Sequence, residues 1–194
     1  MKTTSRERII QTASDLFQTK GYHATGLNEI IKNSDSPKGS LYYYFPHGKE
    51  ELGVAAVRFA GNFIRQKIKN GLQRHTDPIL AIQEVIRGIK VALDKERKLN
   101  NTSLSLVALE TYLSSELLRT ACSQSFYEIE KIYAEKLIAS GFTEEKAAEL
   151  GITIQTMVEG AILLSVTHGN TSPLTIVSKE IEFLISQYDI HVLK

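Results

Sequence analysis

Residues Thr25 to Leu52 read TGLNEIIKNSDSPKGSLYYYFPHGKEEL, and the punctuation inside that stretch decides the fold. Thr25 is placed to cap a short helix carrying Leu27, Ile30 and Ile31 on one face, its hydroxyl accepting from a backbone N–H that the first turn leaves unpaired. The polar run Asn33-Ser34-Asp35-Ser36 breaks that helix. Ser36 then offers a cap and Pro37 a first-turn proline, whose fixed φ and missing N–H suit a helix start, so a second short helix is predicted through Tyr43. Phe45-Pro46 ends it. Two short helices joined by a tight polar turn make the helix-turn-helix pattern, whose second helix offers its N-terminal residues to base edges in the major groove.

The chemistry of that second helix suits the task. Leu41 and Phe45, four apart, face inward and leave Lys38, Gly39, Ser40, Tyr42, Tyr43 and Tyr44 to the outer and flanking surfaces. Gly39 costs about 1 kcal/mol in a helix relative to alanine, and close approach to a DNA backbone would offset it. Lys38, Lys49, Thr25 and Tyr42 are expected on phosphates; Ser40, Tyr43 and Asn28 are the better candidates for base edges. With the two glycines Gly26 and Gly39, these form the candidate DNA-binding set.

Charge supports this placement. Residues 1–74 hold 12 Lys/Arg against 6 Asp/Glu, whereas the rest of the 194-residue chain holds 11 against 16, so a basic head precedes an acidic body although the net charge is only +1. Ahead of the quoted stretch, Thr4 and Glu7 form a capping box for a first helix with Ile9, Ala13, Leu16 and Phe17 at helical spacing, stopped by Lys20-Gly21. Arg6 and Arg8 lie near its start, within reach of phosphate.

Downstream, hydrophobic periodicity continues to predict helices and no strand. A fourth helix is predicted from about Lys49 to Arg74 with Leu52, Ala55, Ala56, Phe59 and Phe63 as its apolar stripe. Asp77-Pro78 opens a fifth, which ends in the charged run Asp94 to Lys98, and Leu99 to Thr102 is a loop. A sixth, Ser103 to Leu113, is expected to turn Leu106, Leu109 and Leu113 inward. Ser115-Glu116 opens a seventh, Thr143 an eighth that runs to His168-Gly169, and Ser172-Pro173 a ninth. The eighth is apolar on several sides, as a helix central to a core or shared between subunits must be, so the last two helices are expected to form a homodimer interface. The predicted class is all-α: a DNA-binding head at 1–48, and a helical body at 49–194 that the long fourth helix joins to it.

The run GYHATGLNEIIKNSDSPKGSLYYYFPHGKEEL resembles the DNA-binding region of the TetR family of bacterial repressors, and FPHGKEEL resembles its LmrA/YxaF-like subgroup. The match is strong from Ile9 to Leu52 and extends to the remainder in helix order. Its most specific parts are Gly21-Tyr22, Lys38-Gly39 with Leu41-Tyr42, Phe45, and Lys49-Glu50. The chain departs from the family pattern at Ser36-Pro37, where a hydrophobic residue and a serine are usual, and at Tyr44, where histidine is frequent; these positions bear on the operator sequence. The resemblance implies a dimeric repressor that binds a double-stranded DNA operator and is released by a small-molecule effector held in the body. Phe59, Phe63, Tyr112, Phe126, Tyr133, Gln155, Met157 and Glu159 are the candidate effector contacts, as aromatic or polar residues interrupting apolar faces. An acidic group such as Glu159 in an apolar stretch needs a partner, whether a cationic ligand, a nearby base or water.

Enzyme chemistry finds no support. Gly48-Lys49 lacks the other residues of a phosphate-binding loop, the five histidines show no i, i+4 metal spacing, and no Gly-x-Ser-x-Gly elbow exists, so neither a catalytic residue nor a metal or other cofactor is expected. Cys122 stands alone, which excludes an internal disulfide. MKTTSRERII lacks a signal-peptide core and no segment approaches ~20 uninterrupted apolar residues, so a cytoplasmic protein without a membrane partner is expected. Two alternatives remain beside the effector-released repressor. One is a DNA-binding regulator controlled by a protein partner or by nothing; the other is an all-helical ligand-binding protein or enzyme whose head is a packing module.

Overall fold

The structure is a computed structural model that describes residues 4–96 and 103–188. Those residues form nine α-helices and no strand: α1 (Ser5–Lys20), α2 (Leu27–Asn33), α3 (Lys38–Tyr44), α4 (Lys49–Leu72), α5 (Pro78–Glu96), α6 (Ser105–Thr111), α7 (Glu116–Ala139), α8 (Glu144–His168) and α9 (Ser172–Ser186). The loop expected at Leu99 to Thr102 lies outside the described residues. Packing divides the chain into two compact units, residues 1–64 with 99–125 and residues 65–98 with 126–194. Both α4 and α7 contribute to each unit.

In the first unit, the Thr4 hydroxyl accepts from the Glu7 N–H and the Glu7 carboxylate accepts from the Thr4 N–H, the capping box read from the sequence. Ile9, Ile10, Ala13 and Phe17 of α1, Ile30 of α2, Leu41 of α3, and Phe45 build the core. Two start signals behave differently from expectation. Thr25 does not cap α2: Gly26 occupies the cap position without a side-chain bond, and the buried Thr25 hydroxyl donates to the Gly21 carbonyl at 2.7 Å. Pro37, not Ser36, holds the cap position of α3, while the Ser36 hydroxyl donates to the Ser34 carbonyl at 3.1 Å and tightens the turn.

Two faces are also corrected. On α4 the buried stripe is Leu52, Ala56, Val57, Ala60 and Ile64, while Phe59 is half-buried and Phe63 is 43% exposed. Small residues let the helix pack closely, and the larger aromatics are displaced outward. On α6, Val107 and Thr111 are buried, whereas Leu109 and Leu113 are 65% and 84% exposed. Thr111 tolerates burial because its hydroxyl donates to the Val107 carbonyl at 2.7 Å.

The second unit is built on α8. Thr143 caps it by accepting from the Lys146 N–H, and Gly169 closes it in the left-handed conformation. Leu150, Ile154, Val158, Ala161 and Ile162 are buried, together with Ile82, Val85 and Ile86 of α5, Ile129, Tyr133 and Leu137 of α7, and Leu174, Ile181 and Ile185 of α9. Gly151 meets α7 at close quarters: a Cβ there would lie 2.6 Å from the Glu130 carbonyl oxygen. By length and apolarity α8 could cross a membrane, but its buried face is the centre of this unit. Its outer side keeps Ile152, Leu163, Leu164 and Val166 in solvent, and α9 does the same with Ile176 and Phe183.

Candidate nucleic-acid interface

Helix α3 is held from beneath and bare above. Leu41 alone is buried within it, and Phe45 just beyond it is 1% exposed beneath the Arg6 guanidinium at 5.6 Å. Lys38, Gly39, Tyr42 and Tyr43 are exposed, Tyr43 at 78%, and Ser40 and Tyr44 are half-buried. The Tyr43 and Tyr44 rings meet edge to face at 5.1 Å, which limits where the Tyr43 hydroxyl can point. A Cβ on Gly39 would meet nothing within 4 Å, so no internal packing demands a glycine there. Asn28 and Gly26, at the start of α2, are exposed as well.

The turn between α2 and α3 is braced by a residue expected to face DNA. Arg8 donates through Nε to the Ser34 carbonyl at 3.2 Å and through its guanidinium to the Asp35 carbonyl at 3.3 Å. Those bonds fix the turn at Asp35, whose φ of +46° is unusual for a side chain other than glycine. No sequence spacing announces this, because donor and acceptors stand 26 and 27 residues apart.

The turn ahead of α2 is equally constrained. Thr25 is fully buried with its hydroxyl on Gly21, so the side chain expected on a phosphate is spent on the turn. Lys49 is half-buried, its ammonium 4.5 Å above the Tyr22 ring and 3.5 Å from the His23 carbonyl. Burial there depresses its pKa, with the charge of Glu110 acting in the opposite direction. Glu110, on α6, accepts from the backbone N–H groups of Tyr22 and His23, and its own carbonyl lies 3.1 Å from His23 Nε2. Close by, the Ser115 hydroxyl donates to the Glu50 carboxylate at 2.5 Å.

The candidate effector contacts fall in two places. Phe59 lines an open hollow of about 370 Å³ with Arg6, Ile10, Ala55, Arg58 and Asn62, while Phe63 and Tyr112 lie on the surface of the same unit. In the second unit, Tyr133 is fully buried and its hydroxyl has no hydrogen-bond partner among the described residues. Burial, then the negative charge of Glu159, pushes that phenol well above its ordinary pKa. Gln155 is buried on α8 and donates to Glu159, four residues on, at 3.1 Å; Phe126 and Met157 are half-buried. Of the eight positions, Gln155 and Glu159 share a hydrogen bond, and the charge of Glu159 acts on the Tyr133 phenol. Cys122 is buried, which raises its thiol pKa to about 11 and leaves it a packing residue rather than a nucleophile.

Residues 9–56 match the family described as bacterial regulatory proteins, tetR family, and residues 78–180 match the C-terminal domain of LmrA/YxaF-like transcriptional regulators. Two Bacillus subtilis proteins are similar over nearly their whole length. The uncharacterized HTH-type transcriptional regulator YxaF is 44% identical over 93% of this chain and 95% of its own, and the HTH-type transcriptional regulator LmrA is 42% identical over 94% and 97%. A TetR transcriptional regulator from Legionella pneumophila has the same fold, with a TM-score of 0.80 over 94% of this chain and 98% of that one at 23% identity.

Proposed function

The chain belongs to the TetR family of DNA-binding transcriptional regulators, which are not enzymes, and from that premise we propose that it acts as a homodimeric repressor released from a pseudo-palindromic operator by a small apolar or aromatic effector. The observation that carries the reading is the surface of α3, where a single buried leucine anchors a helix whose lysine, serine and tyrosines face outward. Ser40, Tyr43 and Asn28 read base edges; Lys38 and Tyr42 set register on phosphates, and Gly26 and Gly39 admit the backbone closely. Lys49 joins them once its ammonium leaves the Tyr22 ring. Thr25 contributes through the turn it stabilises.

Two copies join through the outer aliphatic sides of α8 and α9, because such side chains gain by leaving water. A twofold dimer then presents its heads to half-sites about one helical turn, ~34 Å, apart. The effector occupies the second unit beside Tyr133, Gln155 and Glu159, where a buried hydroxyl without a partner among the described residues can take a hydrogen bond. Its differential affinity for two arrangements of the dimer shifts the population away from the one that fits the operator, and a coupling of ~1 to 3 kcal/mol weakens binding roughly 5- to 150-fold. Functionally the chain divides at 48/49 into DNA-binding head and effector-binding, dimerising body, and it works in the cytoplasm. Footprinting on the DNA upstream of its own gene, with and without a panel of aromatic compounds, tests the reading. A protected inverted repeat that is lost with one compound is expected; an unprotected promoter sinks the repressor, and protection indifferent to every compound sinks the effector.

A further inference from the structure

Glu110 does more than pack. Gly21 leaves α1 at φ +93°, and the backbone then turns so that the successive N–H groups of Tyr22 and His23 converge on one carboxylate oxygen of Glu110. Consecutive amides in a turn form a concavity for an anion, and here the anion is a side chain from α6. The fit is close: a Cβ added to Gly21 would lie 2.3 Å from a carboxylate oxygen of Glu110. The glycine is therefore required twice, by its φ and by the carboxylate beside it. The grip is reinforced on both sides. His23 Nε2 meets the Glu110 carbonyl at 3.1 Å, and Ser115, five residues on, holds Glu50 at the start of α4.

We propose that Glu110 is the positioning residue that locks the turn ahead of α2 to α6 and thereby holds the DNA-binding helices in their operator-competent orientation. The inference rests on the reading of the chain as a DNA-binding regulator. Glu110 touches no phosphate in this role; it acts by removing freedom from the segment that leads into α2. The turn and α2 contain the exposed Gly26 and Asn28, so their wandering would cost affinity before any contact is made.

The test uses the full-length protein, its own promoter DNA, and amide hydrogen exchange without DNA. In Glu110→Ala, amides 22–33 are expected to exchange faster and operator affinity to fall roughly tenfold, with the salt dependence unchanged because no phosphate contact is lost. Glu110→Gln keeps an acceptor oxygen and should bind within about threefold of wild type. Gly21→Ala expels the same carboxylate, so the double variant with Glu110→Ala should be no weaker than the weaker single one. Wild-type affinity in Glu110→Ala, a glutamine variant as weak as alanine, or additive losses would each overturn the proposal. A wild-type protein that binds no promoter DNA would defeat the regulator reading instead, and the exchange pattern alone would then decide whether Glu110 holds the turn.

Discussion

Helix α3 has seven residues and buries one of them, Leu41; α8 has 25, buries nine, and still leaves Ile152, Leu163, Leu164 and Val166 in solvent. The difference lies in what each exposes. Around Lys38, Tyr42 and Tyr43, α3 presents amphipathic rings and a charge, which are stable in water and equally able to pair with base edges and phosphates. The outer side of α8 presents branched aliphatic chains that have nothing to gain from water. A face of the first kind suits a partner that comes and goes, and a face of the second kind suits permanent cover.

The sharpest way to break this comparison is to put charge on the exposed apolar face of α8 and α9. Leu163→Glu with Phe183→Glu should convert dimer to monomer in sedimentation and lower operator affinity by roughly a thousandfold or more, since each uncompensated buried charge costs several kcal/mol. A dimeric double variant would show that the cover lies elsewhere. Leu41→Ala attacks the single anchor of α3 and should destabilise the first unit by about 3 kcal/mol in urea unfolding, the range for emptying a fully buried leucine site. Tyr43→Ala should leave stability within about 0.5 kcal/mol while costing about 1 to 2 kcal/mol of operator binding and blurring selectivity at one base position. The smallest change is expected from Lys38→Ala: a loss shared by all DNA sequences and a salt slope shallower by about one unit. An unaltered slope would remove Lys38 from the phosphate contacts.

Much of the fold was legible because its signals are local. The Thr4 and Glu7 box, Asp77 accepting from the Leu80 N–H, the Thr143 cap and the Gly169 stop all involve partners within a few residues, so spacing alone carries them. The exposed face of α3 followed in the same way from Leu41 and Phe45. What the sequence hid depends on distant neighbours. In α6, two turns of helix admit either apolar face, and contacts made elsewhere in the chain choose Val107 and Thr111 over Leu109 and Leu113. In α4, periodicity favours large Phe59 and Phe63, whereas close packing selects Ala56, Val57 and Ala60. Glu110 was invisible because what it holds is backbone amide 87 and 88 residues away, and amides carry no sequence signature. Thr25 was misread for a related reason: its hydroxyl answers the carbonyl behind it rather than the helix ahead. Among the effector candidates, helical spacing could nominate aromatics but not tell a buried phenol from a solvated one, which is why Tyr133 and Tyr112 stood together.

Gly151 sets a mechanical limit on the second unit. Because its missing side chain already lets α8 touch the Glu130 carbonyl, the two helices have no remaining gap to close at that crossing, and a larger residue would wedge them apart. Compression is thus denied to this joint, and Gly151→Ala would have to part the two helices at that crossing.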